Sequence, residues 1–339
     1  MKIGAELLDN YQNFKEYQLP SWSFLKKKKL LETLKTIVCY DTMIESKFDF
    51  KHHKICFDPN IKNTTYVETG MKLYYSVYDL EVINVINGIQ CKDMNGVLQF
   101  LLLPREISIS DTNKHKLMDT LTFLSKNRPQ LNRGDARSNN FYDKNHSYVI
   151  IGKSINRYGK GSIDSDLKND PNDYYKNRVT KLMRSMELKV KMYLDTKLIQ
   201  TLNYIKMILF NMTQLAIVKK KQNQIWSSLS HAVNYNSVSH VDDDFFLSSC
   251  SINEDSNKDY ELHSKVITYF CFPTLRKAIS LRDGDILIFN PLTYHCCSKK
   301  RKEVTNNVHI YSLYLKSKHV SLNDNSAGLT ELQCLNLKK

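Results

Sequence analysis

The chain has 339 residues, 42% of them hydrophobic, and carries 49 lysines and arginines against 35 aspartates and glutamates, a formal charge of +14. That size and composition suit a globular protein with a well-buried core and about two structural parts, and exclude a disordered or low-complexity chain. Eight cysteines form no C-x-x-C pair, which excludes a zinc ribbon or a small disulfide scaffold and points to reduced thiols in a cytoplasmic or nuclear protein.

No apolar run is long enough to cross a bilayer and no signal peptide opens the chain, so a soluble, unsecreted protein with no membrane partner is expected. The positive charge favours polyanions, but only ten of the 49 basic residues are arginine, the side chain that clamps phosphates and reads bases. Nucleic acid is therefore weighed as a partner and not assumed.

Residues 1–126 read as a mixed α/β region. Ser21 or Ser23 caps a helix over residues 24–37, with a run of lysines on its solvated face. β-rich runs at residues 74–86 and 97–103 flank Asn87-Gly88 and Asn95-Gly96, pairs that favour hairpin turns. Residues 117–124 look helical behind an Asp111-Thr112 cap. Residues 127–173 are polar loop chemistry. Over 174–225, Val179, Leu182, Met183, Met186, Val190, Leu194 and Leu198 recur at three- and four-residue steps, the stripe of a long helical support.

Residues 226–322 change character to short β runs separated by polar turns, at 232–238, 245–252, 266–272, 286–290, 294–297 and 308–316, which is the pattern of a jelly roll. A tail follows over 323–339. The expected fold is α+β: an N-terminal mixed region, long helices, and a C-terminal barrel.

The chemistry lies in that barrel. A mononuclear Fe(II) site needs two neutral imidazoles and a carboxylate on one octahedral face, leaving other positions for a co-substrate and dioxygen. His240 and Asp242 are two residues apart, so an extended segment points both side chains the same way. The Asp283-Gly284 turn launches a buried strand that closes on His295, the candidate third ligand. An H-x-[DE] triplet arises roughly once by chance in such a composition. The weight falls on its pairing with the Gly284-to-His295 strand inside one β-rich block.

On these residues, the stretch from 234 to 320 resembles the double-stranded β-helix of Fe(II)/2-oxoglutarate-dependent dioxygenases, with the H-x-D…H pattern on His240, Asp242 and His295. The Phe289-Asn-Pro-x-x-x-His295-Cys296 form and the closing Ser312-to-Lys316 strand resemble the ten-eleven translocation and J-binding-protein branch, which oxidises thymine or 5-methylcytosine. The resemblance implies Fe(II), 2-oxoglutarate as co-substrate, dioxygen, and hydroxylation of an unactivated C–H bond. A nucleobase in DNA or RNA is the leading substrate. The alternatives are a protein side-chain hydroxylase of prolyl or lysyl type, and an inactive barrel that binds nucleic acid.

One departure stands out. The family usually places an Arg or Lys on the last barrel strand about ten residues after the distal histidine, to pair with the far carboxylate of 2-oxoglutarate. That offset falls here on Thr305 and Asn306. His309 and Lys316 are the candidate anchors, and Asn234, which shares parity with His240, is a further co-substrate contact. The basic run 299–302 reads either as a nuclear localisation signal or as a guide for an anionic substrate beside the metal mouth. His295-Cys296-Cys297 lacks the fourth ligand that a zinc site needs.

Overall fold

A computed structural model describes residues 34–39, 48–62, 67–69, 72–104, 148–155, 162–164, 226, 228–242, 244, 247–254 and 265–314. The chain divides into two compact units, Met1–Thr33 and Leu34–Lys339, and every described residue lies in the second.

The N-terminal part supplies β1 (Lys35–Val38), β2 (Lys54–Asp58), β3 (Val67–Thr69), β4 (Lys72–Ser76), β5 (Glu81–Ile83), β6 (Ile89–Lys92) and β7 (Leu98–Leu102). A hairpin follows, β8 (Tyr148–Ile155) and β9 (Ser162–Asp164). The C-terminal part gives β10 (Ser228–Val233), β11 (Ser248–Glu254), β12 (Val266–Phe272), β13 (Lys277–Arg282), β14 (Ile286–Phe289), β15 (Cys296–Cys297) and β16 (Val308–Tyr314).

Two sheets make the barrel. The larger has the order β1-β6-β7-β14-β11-β16-β10-β8-β9, and the smaller β15-β12-β13-β5. Side-chain alternation along each strand decides which residues they share. Cys250, Ile252, Leu287, Phe289, Val308 and Ile310 from the larger sheet pack against Phe270, Phe272, Ile279, Leu281 and Cys297 from the smaller in one buried cluster. The intervening residues of the smaller sheet, Tyr269, Cys271, Ala278 and Cys296, face the other way. They pack on Phe48, Ile55, Phe57, Leu73 and Val77, beside the small sheet β2-β4-β3. β12 is buried on both faces, which is why Val266–Phe272 is apolar at nearly every position, Thr268 being hydrogen-bonded to Ser298.

Several expectations change. Residues 35–38, placed at the end of a helix, are a strand paired parallel to β6. Asn95-Gly96 closes the β6–β7 hairpin as expected. Asn87-Gly88 does not make a hairpin: it carries the chain from β5 in one sheet to β6 in the other, with Gly88 at φ +80°. Asp283-Gly284 does the same between β13 and β14, with Gly284 at φ +83° and its N–H bonded to the Ile252 carbonyl. β13 itself was not anticipated from the sequence.

β8 and β9 fall inside the stretch read as polar loop, and β8 extends the larger sheet beyond β10. The helices expected over 117–124 and 174–225 lie outside the described residues, which contain strands and short 3₁₀ turns but no α-helix. No helix among the described residues is long and apolar enough to cross a membrane. The expectation of wholly reduced thiols is also corrected, since Cys39 and Cys91 are joined in a disulfide.

Candidate metal centre

The segment 237–242 runs beside the start of β15 as an irregular strand. His240 and His295 form an isolated antiparallel bridge, exchanging both backbone hydrogen bonds at 3.0 and 2.9 Å. Asp242 N–H then donates to the Pro291 carbonyl at 3.0 Å. β14 ends at Phe289, and a turn braced by Asn290 carries the chain round, so His295 opens the strand after the one expected to end on it.

The three side chains offer ligand atoms that all lie within 4.8 Å of one another. Asp242 bridges the histidines, Oδ1 at 3.4 Å from His240 Nε2 and Oδ2 at 3.3 Å from His295 Nε2. Each ring is oriented by a carbonyl, which can only accept: His240 Nδ1–H donates to Val238 O at 2.7 Å and His295 Nδ1–H to Thr293 O at 2.8 Å. Both Nε2 atoms are therefore left to ligate a cation, the tautomer that metal-binding histidines adopt.

Burial and charge set the protonation states. His295 is sealed against Phe270 and Phe289, with ring centroids at 5.5 and 4.7 Å. That burial holds its pKa below the ordinary imidazole value against the pull of Asp242. Burial also opposes ionisation of Asp242, but the His240 and His295 rings beside it outweigh burial and keep the carboxyl below its usual range. Two neutral imidazoles and one carboxylate on a partly open face are the donor set of a mononuclear Fe(II) centre. The residues present fit that ion.

A contribution from the N-terminal half went unseen in the sequence. Gln99 on β7 accepts from Thr293 Oγ1 at 2.8 Å, and the Thr293 carbonyl holds His295. No local pattern marks Gln99, because its role exists only once β7 has paired with β14.

Two of the candidate co-substrate contacts, His309 and Asn234, do not join this cluster. His309 pairs in register with Asn253 and Val233, on the face of β16 opposite to Val308 and Ile310. Its Nδ1 lies 3.0 Å from His231 Nε2, and both rings are buried on the outer side of the larger sheet. Asn234 has left strand geometry at φ +51°. Its side chain accepts from Val308 N–H at 3.0 Å and donates to Asn307 at 2.9 Å, tying β10 to the start of β16. Lys316 lies outside the described residues.

The basic run is also displaced from the mouth. It begins four residues beyond His295, past the end of β15. There Lys299 pairs with Asp58 at 3.1 Å and covers the Tyr74 ring. Lys300 donates to Asn306 O at 2.9 Å, and Arg301 pairs with Glu303. Cys296 points away from His295 into the outer cluster, where burial raises its pKa well above the ordinary thiol value.

Inward-facing positions of β16 are Val308, Ile310, Ser312 and Tyr314. None is cationic. The described residues therefore fit Fe(II) but give 2-oxoglutarate no charge partner from this strand for its far carboxylate.

Two such sheets packed face to face, with a His-Asp-His cluster where β15 begins, define the class by its fold, a double-stranded β-helix. The structure of NgTET1 in complex with 5mC DNA matches with a TM-score of 0.50 at 11% identity, covering 92% of this chain and 99% of that one. A prolyl hydroxylase from Trichoplax adhaerens, in complex with a hypoxia inducible factor peptide fragment, matches with a TM-score of 0.37 at 10% identity, covering 67% and 87%. No protein-family model and no curated protein sequence matches the chain.

Proposed function

We propose that the chain is an Fe(II)-dependent oxygenase of the class that consumes a 2-oxo acid, and that it oxidises a C–H bond of a nucleobase in DNA. The observation that carries the reading is the convergence of His240, Asp242 and His295, with both Nε2 atoms presented to one point. His240, Asp242 and His295 would hold the ion. In this class dioxygen gives one oxygen atom to the new hydroxyl and one to the carboxylate left when the 2-oxo acid loses CO2.

The chain's own residues do the rest of the work. Val238 and Thr293 carbonyls fix the imidazoles, and Phe270 and Phe289 exclude water behind His295. His240 and Asp242, with side chains 31% and 38% exposed, stay open to an incoming substrate. The choice of DNA is supported by the fold shared with NgTET1 in complex with 5mC DNA and by the net charge of +14.

The test is anaerobic Fe(II) binding, followed by oxygen-dependent CO2 release from a 2-oxo acid with 5-methylcytosine DNA present. One equivalent of iron and release abolished in Asp242→Ala is the expected result. Release that persists in Asp242→Ala would remove the assignment. The lack of an inward cation on β16 favours a second reading, a barrel that binds nucleic acid without turnover. Iron binding with salt-sensitive DNA binding and no CO2 release would select it.

A further inference from the structure

The basic run 299–302 meets a part of the fold that the metal site does not use, the outer face of the small sheet β2-β4-β3. Alternation along β2 and β4 sends Ile55, Phe57 and Leu73 into the cluster they share with Tyr269, Cys271 and Cys296. Lys54, Cys56 and Asp58, with Lys72, Tyr74 and Ser76 in register beside them, therefore point the other way. Lys299 joins that outer face, paired with Asp58 at 3.1 Å and lying over the Tyr74 ring at 4.3 Å.

The face gathers positive charge without neutralising it. Lys54 and Lys72 stand directly opposite each other on neighbouring strands, where like charges repel and cost stability. Neither ammonium has an acidic partner among the described residues, and both side chains keep part of their surface in water. Burial raises the pKa of the Cys56 thiol between them to about 12, against the fields of Lys72, Lys299 and Lys54, which all reach it. Asp58, the acid that the register places on this face, is already engaged by Lys299 and Asn60. Asn60 also binds the Lys300 carbonyl and the Lys302 N–H, so the exposed Lys62 and Lys302 carry the charge past the end of β2.

A repelling pair held in register is stabilised by an anion that spans it. The row is too long for one small anion. β2 carries it about 13 Å from Lys54 to Asp58 at about 3.3 Å per residue, and a DNA strand offers a phosphate about every 3.4 Å of axis. The row also touches the metal segment: Ser239 N–H donates to Ile55 O at 2.7 Å, so Lys54 and His240 are each one residue from the same hydrogen bond.

We infer that this face is a backbone clamp, in which Lys54, Lys72 and Lys299 hold the phosphates of DNA beside the metal mouth whatever the base sequence. The choice of DNA rests on the substrate proposed above, whereas the clamp itself needs no iron. The experiment titrates a fluorescent duplex of unmodified DNA with the full chain in EDTA, read by anisotropy across a salt series. Lys54→Gln/Lys72→Gln is compared with wild type, with the charge-keeping Lys54→Arg/Lys72→Arg, and with Lys35→Gln/Lys92→Gln, which removes the same charge from β1 and β6 at the edge of the larger sheet.

The glutamine pair on the clamp should lower affinity about tenfold or more and reduce the slope of log affinity on log salt by about 2. The arginine pair should bind like wild type, and the control pair should stay within about twofold. The unfolding midpoint should not fall in the glutamine pair, since the substitution removes a repulsion. An unchanged slope, or an equal loss in the control pair, overturns the inference. Binding to phosphatidylserine–phosphatidylcholine vesicles that depends on Lys54 and Lys72, where DNA binding does not, overturns it in favour of a lipid surface. Iron and CO2 release play no part in this readout, so the clamp and the metal assignment fail independently.

Discussion

Two histidine pairs form in this fold from residues far apart in sequence. His240 and His295 meet at the end of the sandwich, their rings 4.7 Å apart and tilted by 51°. His231 and His309 meet on the outer side of the larger sheet, 5.3 Å apart and nearly parallel at 13°. In the first pair each Nδ1 is spent on a carbonyl and Asp242 stands between the two Nε2 atoms. In the second, one ring nitrogen is spent on the other ring, and among the described residues no carboxylate stands between them. Residue type is the same in both; what separates a candidate ligand pair from a structural one is where the remaining nitrogen points and whether an anion shares it.

The comparison breaks most visibly if the pairs exchange roles. Asp242→Ala should lower Fe(II) affinity by about 100-fold or more, read by anaerobic titration, while leaving the unfolding midpoint almost unmoved. His309→Ala should do the reverse. It strips the buried His231 Nε2 of its partner and should cost about 1–3 kcal/mol in urea unfolding, with metal affinity unchanged.

The outer pair also predicts a pH dependence. Burial, then the neighbouring His309, lowers the His231 pKa from 6.5 to about 3. The unfolded chain therefore binds a proton that the folded chain refuses between those values. Its contribution to stability is complete above about pH 6.5 and is lost as pH falls toward 3, by about 1.4 kcal/mol per unit. His231→Leu should flatten that slope in a pH series of unfolding curves. A slope identical to wild type would mean that other groups carry it.

The smallest effect sharpens the inner pair. Gln99→Ala removes the acceptor of Thr293 Oγ1 and loosens the turn that orients His295. Metal affinity should fall about tenfold with little change in stability. Thr293→Ser, which keeps the hydroxyl, should stay close to wild type.

The sequence carried more of the candidate ligands than of their surroundings. His240, Asp242 and His295 were legible because extended parity and a turn-launched apolar run are local signals. The face of His309 was not, since a one-residue difference in position along a strand reverses the side of the sheet. Pairing of β1 with β6 and of β7 with β14 is set by non-local contacts, so neither the strand at 35–38 nor the support from Gln99 has a local mark. β13 was missed because Lys277, Ser280 and Arg282 broke the apolar run, although Ala278, Ile279, Ser280, Leu281 and Arg282 are all buried. Glycine was read correctly as a turn at positions 88 and 284, but a turn does not say whether the chain returns to the same sheet or crosses to the other.

The most direct measurement is the stoichiometry and affinity of anaerobic Fe(II) binding in wild type, His240→Ala, Asp242→Ala, His295→Ala and His309→Ala, each checked for folding by circular dichroism. One equivalent in wild type and in His309→Ala, lost in the other three, is the predicted result. One equivalent retained in Asp242→Ala, or lost in a folded His309→Ala, would contradict it.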